Sequence, residues 1–148
     1  MARCPRGGVP ARGRARPESP GMSRLRTGAP TALACVFAVA GVLHVVRPSF
    51  FDGLMPRVVP TRLHRPLVYA SGAAELACAA GLVRRTRWAS VASTALLLAV
   101  WPANLQMALD AGTGRHPGSM DTAGVAWARM PLQLPLLWAA RQARPTTR

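Results

Sequence analysis

Four long apolar segments constrain the fold of this 148-residue chain more than any other feature. They are residues 30–46, 67–83, 88–109 and 122–140. A helix rises about 1.5 Å per residue, so even the shortest segment reaches about 25 Å, close to the ~30 Å thickness of a hydrocarbon core. In lipid, backbone polar groups find partners only within a helix or a closed barrel. The segments therefore predict an all-α fold, a bundle of four transmembrane helices.

The charge of the chain fits the same interpretation. Half of the residues are hydrophobic, yet the formal net charge is +14 and all 19 basic residues are arginine. A balance this basic is also typical of nucleic-acid-binding proteins. The arginines, however, cluster outside the apolar segments, and the eight aromatic residues are too few to form a stacking surface for bases. We expect the lipid bilayer, and no nucleic acid, as the partner.

The arginines also predict an orientation. Thirteen lie in the N-terminal head, the turn 84–87 and the C-terminal tail, whereas five lie in the other two loops. The positive-inside rule therefore predicts a multi-pass protein of the bacterial inner (plasma) membrane with both termini in the cytoplasm. Residues 142–148 would be a short cytoplasmic tail.

The N-terminal head, residues 1–28, has the composition least typical of a folded segment. Residues 1–28 are rich in Arg, Pro and Gly and have little to bury, so they are predicted to be disordered. Met22 opens a more conventional start, so a start-site artefact covering residues 1–21 is the alternative interpretation.

Prolines punctuate residues 47–66, which predicts a loop. Within it, the spacing of Phe50, Phe51, Leu54 and Met55 favours a short interfacial helix, and an irregular loop is the alternative.

Small residues recur at four-residue intervals in the second segment and predict a close helix contact: Ala70, Ala73, Ala74, Ala77 and Gly81.

Polar side chains within the apolar segments are the candidate functional residues, because lipid makes them costly. They are His44, Tyr69, Ser71, Glu75, Asn104, Arg129 and Gln133. The predicted topology places them at comparable depth, in the outer half of the membrane. We predict a Glu75–Arg129 ion pair, with His44 and Asn104 completing the hydrogen bonds. The alternative is that these groups only lock helix packing.

Motifs for catalysis or metal binding are not found in the sequence. Cys4, Cys35 and Cys78 form no CxxC pair, the histidines have no metal-ligand spacing, and there is no phosphate-binding loop. The sequence therefore identifies neither a catalytic residue nor a metal site, and we expect no catalytic activity from this chain alone. Quinone is the one cofactor left open.

Several stretches together resemble the DoxX-like family of small bacterial membrane proteins, over about residues 30–140. They are Gly41-Val42-Leu43-His44 with Arg47-Pro48, Phe50-Phe51-Asp52, residues 68–76, residues 102–108, and Arg129-Met130-Pro131-Leu132-Gln133 with Trp138. The resemblance implies a four-helix membrane fold. The family takes its name from a subunit associated with thiosulfate:quinone oxidoreduction, and some relatives are linked to redox or thiol-stress complexes.

Three functional hypotheses follow. The first is a DoxX-like membrane protein whose polar cluster binds a small lipophilic ligand or only locks the bundle. The second is an accessory subunit of a quinone-linked membrane oxidoreductase, acting with a soluble redox partner or as a homo-oligomer. The third is a small transporter or proton-coupled channel.

Overall fold

The computed structural model describes residues 20–114, 116 and 118–143, and within these the chain is helical without strands. The helices are α1 (Pro20–Val46), α2 (Ser49–Asp52), α3 (Thr61–Val83), α4 (Ala89–Leu109) and α5 (Ala123–Gln142), with a 3₁₀ turn at Gly118–Asp121. The predicted all-α class is confirmed, and one long helix covers each apolar segment.

The four long helices form a ring of neighbours. Helix α1 packs against α3 and α5, and α4 packs against the same two helices. The loops after α1 and α4 lie at one end, where Arg57 contacts Asp110. The α3–α4 turn and both described chain ends lie at the other end, where Arg26 Nε donates to Gln142 Oε1 at 3.0 Å. We call these the loop end and the terminal end.

Some of the described helices have the length and composition of membrane spans. Three of them, at Arg24–Val46, Thr61–Val83 and Ala89–Leu109, are long and apolar enough to cross a bilayer. Helix α5 is not in this set, since Arg129 and Gln133 lower its hydropathy. Large apolar side chains are nevertheless exposed on every long helix: Val39, Val42, Leu76, Val83, Val91, Leu105, Leu132 and Leu134. An apolar surface that encircles a bundle suits lipid rather than water, which indicates a membrane protein.

Two helix boundaries differ from the predicted ones. Helix α1 begins at Pro20, so residues 20–28 are helical rather than part of a disordered tail, while residues 1–19 lie outside the described residues. Once the apolar segment has nucleated the helix, each added residue costs little, and Arg24, Leu25 and Arg26 are good helix formers. The loop after α1 ends at Pro60, whose ψ of 138° is extended, and Pro66 lies inside α3.

Two apolar clusters leave a cavity between them. Toward the terminal end, the core contains Leu33 and Phe37 of α1, Leu82 of α3 and Leu97 of α4. Toward the loop end, a smaller cluster surrounds Met107. The polar residues lie between these clusters.

Glycines make the contact between α1 and α3. A Cβ atom on Gly41 would lie 2.8 Å from the carbonyl oxygen of Gly72, and one on Gly72 would lie 3.1 Å from that of Gly41. The two backbones approach here more closely than any side chain allows. Ala70, which we predicted to lie at a close helix contact, is exposed and Ala74 is partly buried. Gly72 rather than Ala70 or Ala74 forms the close contact of α3 with α1, and Gly81 packs closely against Trp88.

A buried carboxylate joins the two loops. Arg57 Nη2 donates to Asp110 Oδ1 at 2.6 Å, and Gln106 Nε2 donates to Asp110 Oδ2 at 3.0 Å. Asp110 is 6% exposed, so its hydrogen bonds are poorly replaced by water. The pair ties the loop after α1 to the end of α4.

We expect Asp110→Asn to lower the free energy of unfolding by about 1.5 kcal/mol, because it weakens two hydrogen bonds to a buried charge. Asp52→Asn is the matched control, since Asp52 pairs with Arg65 at 3.1 Å but both side chains are substantially exposed. The control should cost less than about 0.5 kcal/mol. Thermal unfolding in detergent, followed by circular dichroism, measures both, and equal losses would contradict the structural role of Asp110.

Candidate functional site

A cavity of about 400 Å³ lies between the four long helices. Its apolar walls include Val36, Leu97, Val100 and Leu136. Phe51, Leu54 and Met55, in and just after α2, line it from the loop end. The volume lies within the range of small-molecule sites, which are mostly apolar with a few placed polar groups.

Six of the seven polar residues singled out in the sequence line this cavity. They are His44, Ser71, Glu75, Asn104, Arg129 and Gln133. Tyr69 does not, and it is 45% exposed on the outside of α3. Successive helical residues are about 100° apart, so Tyr69 lies on the opposite side of α3 from Ser71.

His44 and Glu75 form a pair across the α1–α3 contact. The His44 Nδ1 atom lies 3.0 Å from Glu75 Oε2 and 2.8 Å from the carbonyl oxygen of Ala40. One ring N–H therefore faces two acceptors, and the better-directed hydrogen bond goes to Ala40. Glu75 is 7% exposed, and its Oε2 atom receives no well-directed hydrogen bond from the described residues. A buried carboxylate oxygen is thus left only partly satisfied beside His44.

The predicted Glu75–Arg129 pair is wrong. Arg129 Nη1 instead donates to the thioether sulfur of Met107 at 3.4 Å. No carboxylate lies within ion-pair distance of Arg129 in the part of the chain that the structure describes. The reason is helix order, because α1 is the close neighbour of α3, whereas α5 packs mainly against α4 and α1.

The α1–α3 contact explains the His44–Glu75 pair. A Cβ atom on Gly72 would lie 2.7 Å from His44 Cβ, so His44 packs directly against the α3 backbone. The two helices run antiparallel, and the His44 ring points back along α1 to the carbonyl oxygen of Ala40, which brings it to Glu75, one turn along α3 from Gly72. Sequence spacing alone does not identify this pair, because it depends on a tertiary contact.

Asn104 and Gln133 connect α4 to α5. Asn104 Nδ2 lies 3.5 Å from Gln133 Oε1, at the limit of a hydrogen bond. Gln133 Nε2 donates to the carbonyl oxygen of Leu97, in the helical turn that precedes Pro102. Gln133 is 3% exposed and satisfied on both sides of its amide, which indicates that it holds the two helices together.

Phe51 contributes to the site although the sequence indicated only an interfacial role for it. Its ring stacks on the His44 imidazole, with centroids 3.7 Å apart and planes 16° apart. This stacking covers His44 from the loop end. Nothing in the local pattern predicts it, because it depends on how the chain turns after Val46.

Comparison with protein families gives a match over most of the chain. The family described as "Domain of unknown function (DUF8561)" matches residues 33–144. The chain belongs to this family. Comparison with curated proteins and with solved structures gave no match.

The DUF8561 match contains every polar residue that lines the cavity, from His44 on α1 to Gln133 on α5. Within this DUF8561 domain, the cavity combines a carboxylate–imidazole pair on one side with a guanidinium on the other. The described residues contain no group of three side chains suited to holding a metal ion. Such an arrangement can hold the polar head of an otherwise apolar molecule by hydrogen bonds and can exchange a proton with it.

Proposed function

We propose that this DUF8561 protein is a DoxX-like protein of the bacterial inner membrane whose cavity binds a small lipophilic molecule through an oxygen-bearing head. One observation carries the proposal. The cavity has apolar walls, yet it holds a guanidinium whose one hydrogen bond within the described residues goes to sulfur.

Arg129 would bind the head of the ligand. A guanidinium has five N–H donors and keeps its charge, and a thioether is a weak acceptor. A quinone carbonyl or a carboxylate would give Arg129 charge-assisted hydrogen bonds, which are about twice as strong as neutral ones. The aliphatic side chains of Val36, Val100 and Leu136 would contact the apolar part of the ligand.

Glu75 supplies a second polar contact. Glu75 lines the cavity, and its buried Oε2 atom lacks a well-directed donor among the described residues. A ligand hydroxyl could donate to the Glu75 carboxylate, or a protonated Glu75 could donate to a ligand carbonyl. Arg129 and Glu75 would then hold two oxygens of one head group.

We further propose that α5 is the fourth span of a four-helix transmembrane bundle with both termini in the cytoplasm. Gln133 is buried against α4, and Arg129 is half-buried, so the bundle shields the groups that make α5 too polar to span alone. Trp88 and Trp138 are exposed near the terminal end and Trp127 near the loop end, as expected of aromatic belts at two interfaces.

Two other functions have a specific observation in their favour. An accessory subunit of a quinone-linked oxidoreductase requires room for a quinone head, and the cavity of about 400 Å³ would admit one. Such a subunit should co-purify with a soluble redox partner. The buried His44–Glu75 pair would suit a proton-coupled transporter. For a transporter, Glu75→Gln should abolish uptake while leaving the fold intact.

Ligand binding is tested by native mass spectrometry of protein extracted with its lipids, and by thermal shift with a short-chain quinone and with a fatty acid. We expect a retained small molecule and a raised Tm for one of the two ligands. Arg129→Gln should lower the affinity for that ligand about tenfold, equivalent to about 1.4 kcal/mol of binding free energy. Val100→Trp should also block binding by filling the cavity.

Val91→Trp is the matched control for the cavity variant. Val91 lies on the same helix but is 72% exposed on the outer face, so its replacement should leave binding unchanged. If no small molecule is retained and neither ligand class shifts the Tm, the polar cluster only locks the helices and the proposal is wrong.

A further inference from the structure

The cavity between the four long helices is open on one side. Of the residues that line it, two are exposed, whereas the others are buried or partly buried. The exposed ones are Val36 of α1, at 48%, and Leu132 of α5, at 58%. Because α1 and α5 are neighbours, the cavity opens to the outside of the bundle between these two helices. We call this gap the α1–α5 opening.

We propose, on the basis of the ligand-binding function above, that the ligand is a long-chain fatty acid. Its carboxylate would bind Arg129, and its chain would leave the cavity through the α1–α5 opening into the surrounding lipid. Three features of the described residues support this ligand: the burial along α5, the depth of the opening and the charge of Arg129.

The contact between α1 and α5 loosens along its length. One face of α5 carries four apolar residues at intervals of three or four: Leu132, Leu136, Ala139 and Ala143. Ala139 and Ala143 are buried in the cluster that also contains Leu33 of α1. Leu136 is partly buried, and Leu132 is exposed. The same helix face is therefore packed toward the terminal end and uncovered near the middle of α5.

The opening lies at the depth of the lipid acyl chains. Val36 is near the middle of the Arg24–Val46 span, and Leu132 is near the middle of α5 (Ala123–Gln142). In the proposed four-span bundle, side chains at this depth face the hydrocarbon core rather than water. A ligand would therefore reach the cavity from the bilayer, and a chain longer than the cavity would continue into the lipid.

Arg129 favours a carboxylate over a neutral head group. Its guanidinium is partly buried, donates to Met107 Sδ and has no carboxylate within ion-pair distance among the described residues. The carboxylate of Glu75 lies against His44 instead. A ligand carboxylate would accept two charge-assisted hydrogen bonds from Arg129 and compensate its charge, whereas a ketone or an alcohol brings no charge.

Helix α5 also sets the direction of the ligand chain. Arg129, Leu132 and Leu136 line the cavity and are three or four residues apart, so they follow one another along one face. Arg129 is the nearest of the three to the loop end. A carboxylate bound there points toward the membrane surface, and the chain runs past Leu132 toward the bilayer centre. A fatty acid in the adjacent leaflet has this orientation and would enter without turning over.

The test uses the full chain in lipid nanodiscs and palmitic acid that carries a photoreactive diazirine either beside the carboxyl group or at the chain end. Cross-linked peptides are identified by mass spectrometry, and only labelling that excess unmodified palmitic acid removes is counted. We expect the carboxyl-side probe to label the cavity wall around Arg129. The chain-end probe should label α1 and α5 on either side of the α1–α5 opening.

The head group is tested by competition and by substitution. Palmityl alcohol has the same chain without the charge, so it should compete at least tenfold less well than palmitic acid. Arg129→Gln should lower the labelling by both probes about tenfold. Equal competition by the alcohol and the acid would overturn the assignment of a carboxylate.

The route of the chain is tested by narrowing the opening. Leu132→Trp should lower the labelling by both probes at least fivefold. Leu134→Trp is the matched control, because Leu134 is 64% exposed on the same helix and does not line the cavity. It should change the labelling less than twofold. Equal effects of the two variants, or chain-end labelling confined to the cavity wall, would overturn the proposed route.

Failure of the fatty-acid proposal is distinguishable from failure of ligand binding itself. If palmitic acid removes no labelling but a short-chain quinone raises the Tm, the cavity binds a neutral head group and the fatty-acid proposal is wrong. If neither molecule binds, the ligand-binding function is wrong, and the fatty-acid proposal is wrong with it.

Discussion

Replacing His44 with leucine is expected to lower the free energy of unfolding by about 3 kcal/mol, because removing one member of a buried polar pair leaves the other buried without compensation. The group left without compensation would be Glu75, which is 7% exposed and whose Oε2 atom lies 3.0 Å from His44 Nδ1. Unfolding in detergent, with increasing sodium dodecyl sulfate, measures the loss.

His64→Leu is the matched control. The His64 ring contacts the backbone carbonyl of Val59 at 3.0 Å, and no described carboxylate pairs with it. Its replacement removes one ordinary hydrogen bond and should cost about 1 kcal/mol. A His44→Leu variant that costs no more than this control would contradict the pairing.

Double-mutant cycles then separate the two possible partners of Glu75. The cycle of Glu75→Leu with His44→Leu should show a coupling of at least about 1 kcal/mol, because the two side chains touch. The cycle of Glu75→Leu with Arg129→Met should show about 0.5 kcal/mol or less, because these side chains form no ion pair in the structure. The reverse order of couplings would show that Arg129 is the partner.

Gly41→Ala is expected to cost about 2 kcal/mol, since an added methyl group in a closely packed contact forces the helices apart. The new Cβ atom would lie 2.8 Å from the carbonyl oxygen of Gly72 and 2.7 Å from Leu76 Cγ. The backbone oxygen cannot rotate away, so α1 and α3 must separate. The shift should also loosen the His44–Glu75 pair, because His44 packs directly against Gly72 in the same contact.

Gly28→Ala tests the same substitution on the same helix without the clash. No heavy atom lies within 4 Å of the Cβ position at Gly28. Alanine favours helix over glycine by up to about 1 kcal/mol, so this variant should be neutral or slightly more stable. Similar Tm values for Gly41→Ala and Gly28→Ala would show that the glycines do not set the distance between α1 and α3.

The sequence predicted the helices well because apolar length is a direct consequence of the lipid environment. It also indicated the residues around the cavity, since a polar group in an apolar segment stands out and its position in the segment gives its depth. His44, Glu75, Asn104 and Arg129 were identified in this way. Tyr69 was included although the helical period places it opposite Ser71.

The partners of these residues could not be predicted in the same way. Depth says nothing about which helices are neighbours, so Glu75 and Arg129 were paired by charge alone. Helix order depends on Gly41 and Gly72, whose contact is tertiary. The stacking of Phe51 on His44 depends on the path of the loop after α1, and local patterns do not determine such a path.

Cysteine labelling from one side of the membrane tests whether four helices cross it around one polar cavity. Cys4, Cys35 and Cys78 are replaced by alanine, and single cysteines are introduced at Val58, Arg84 or Arg141, all of them exposed. Intact spheroplasts are treated with a membrane-impermeant maleimide. We expect labelling of Val58→Cys in intact cells, and of Arg84→Cys and Arg141→Cys only after permeabilisation. Labelling of both Val58→Cys and Arg141→Cys in intact cells would contradict the four-span bundle, because α5 would then not cross the membrane and the cavity would lose one of its walls.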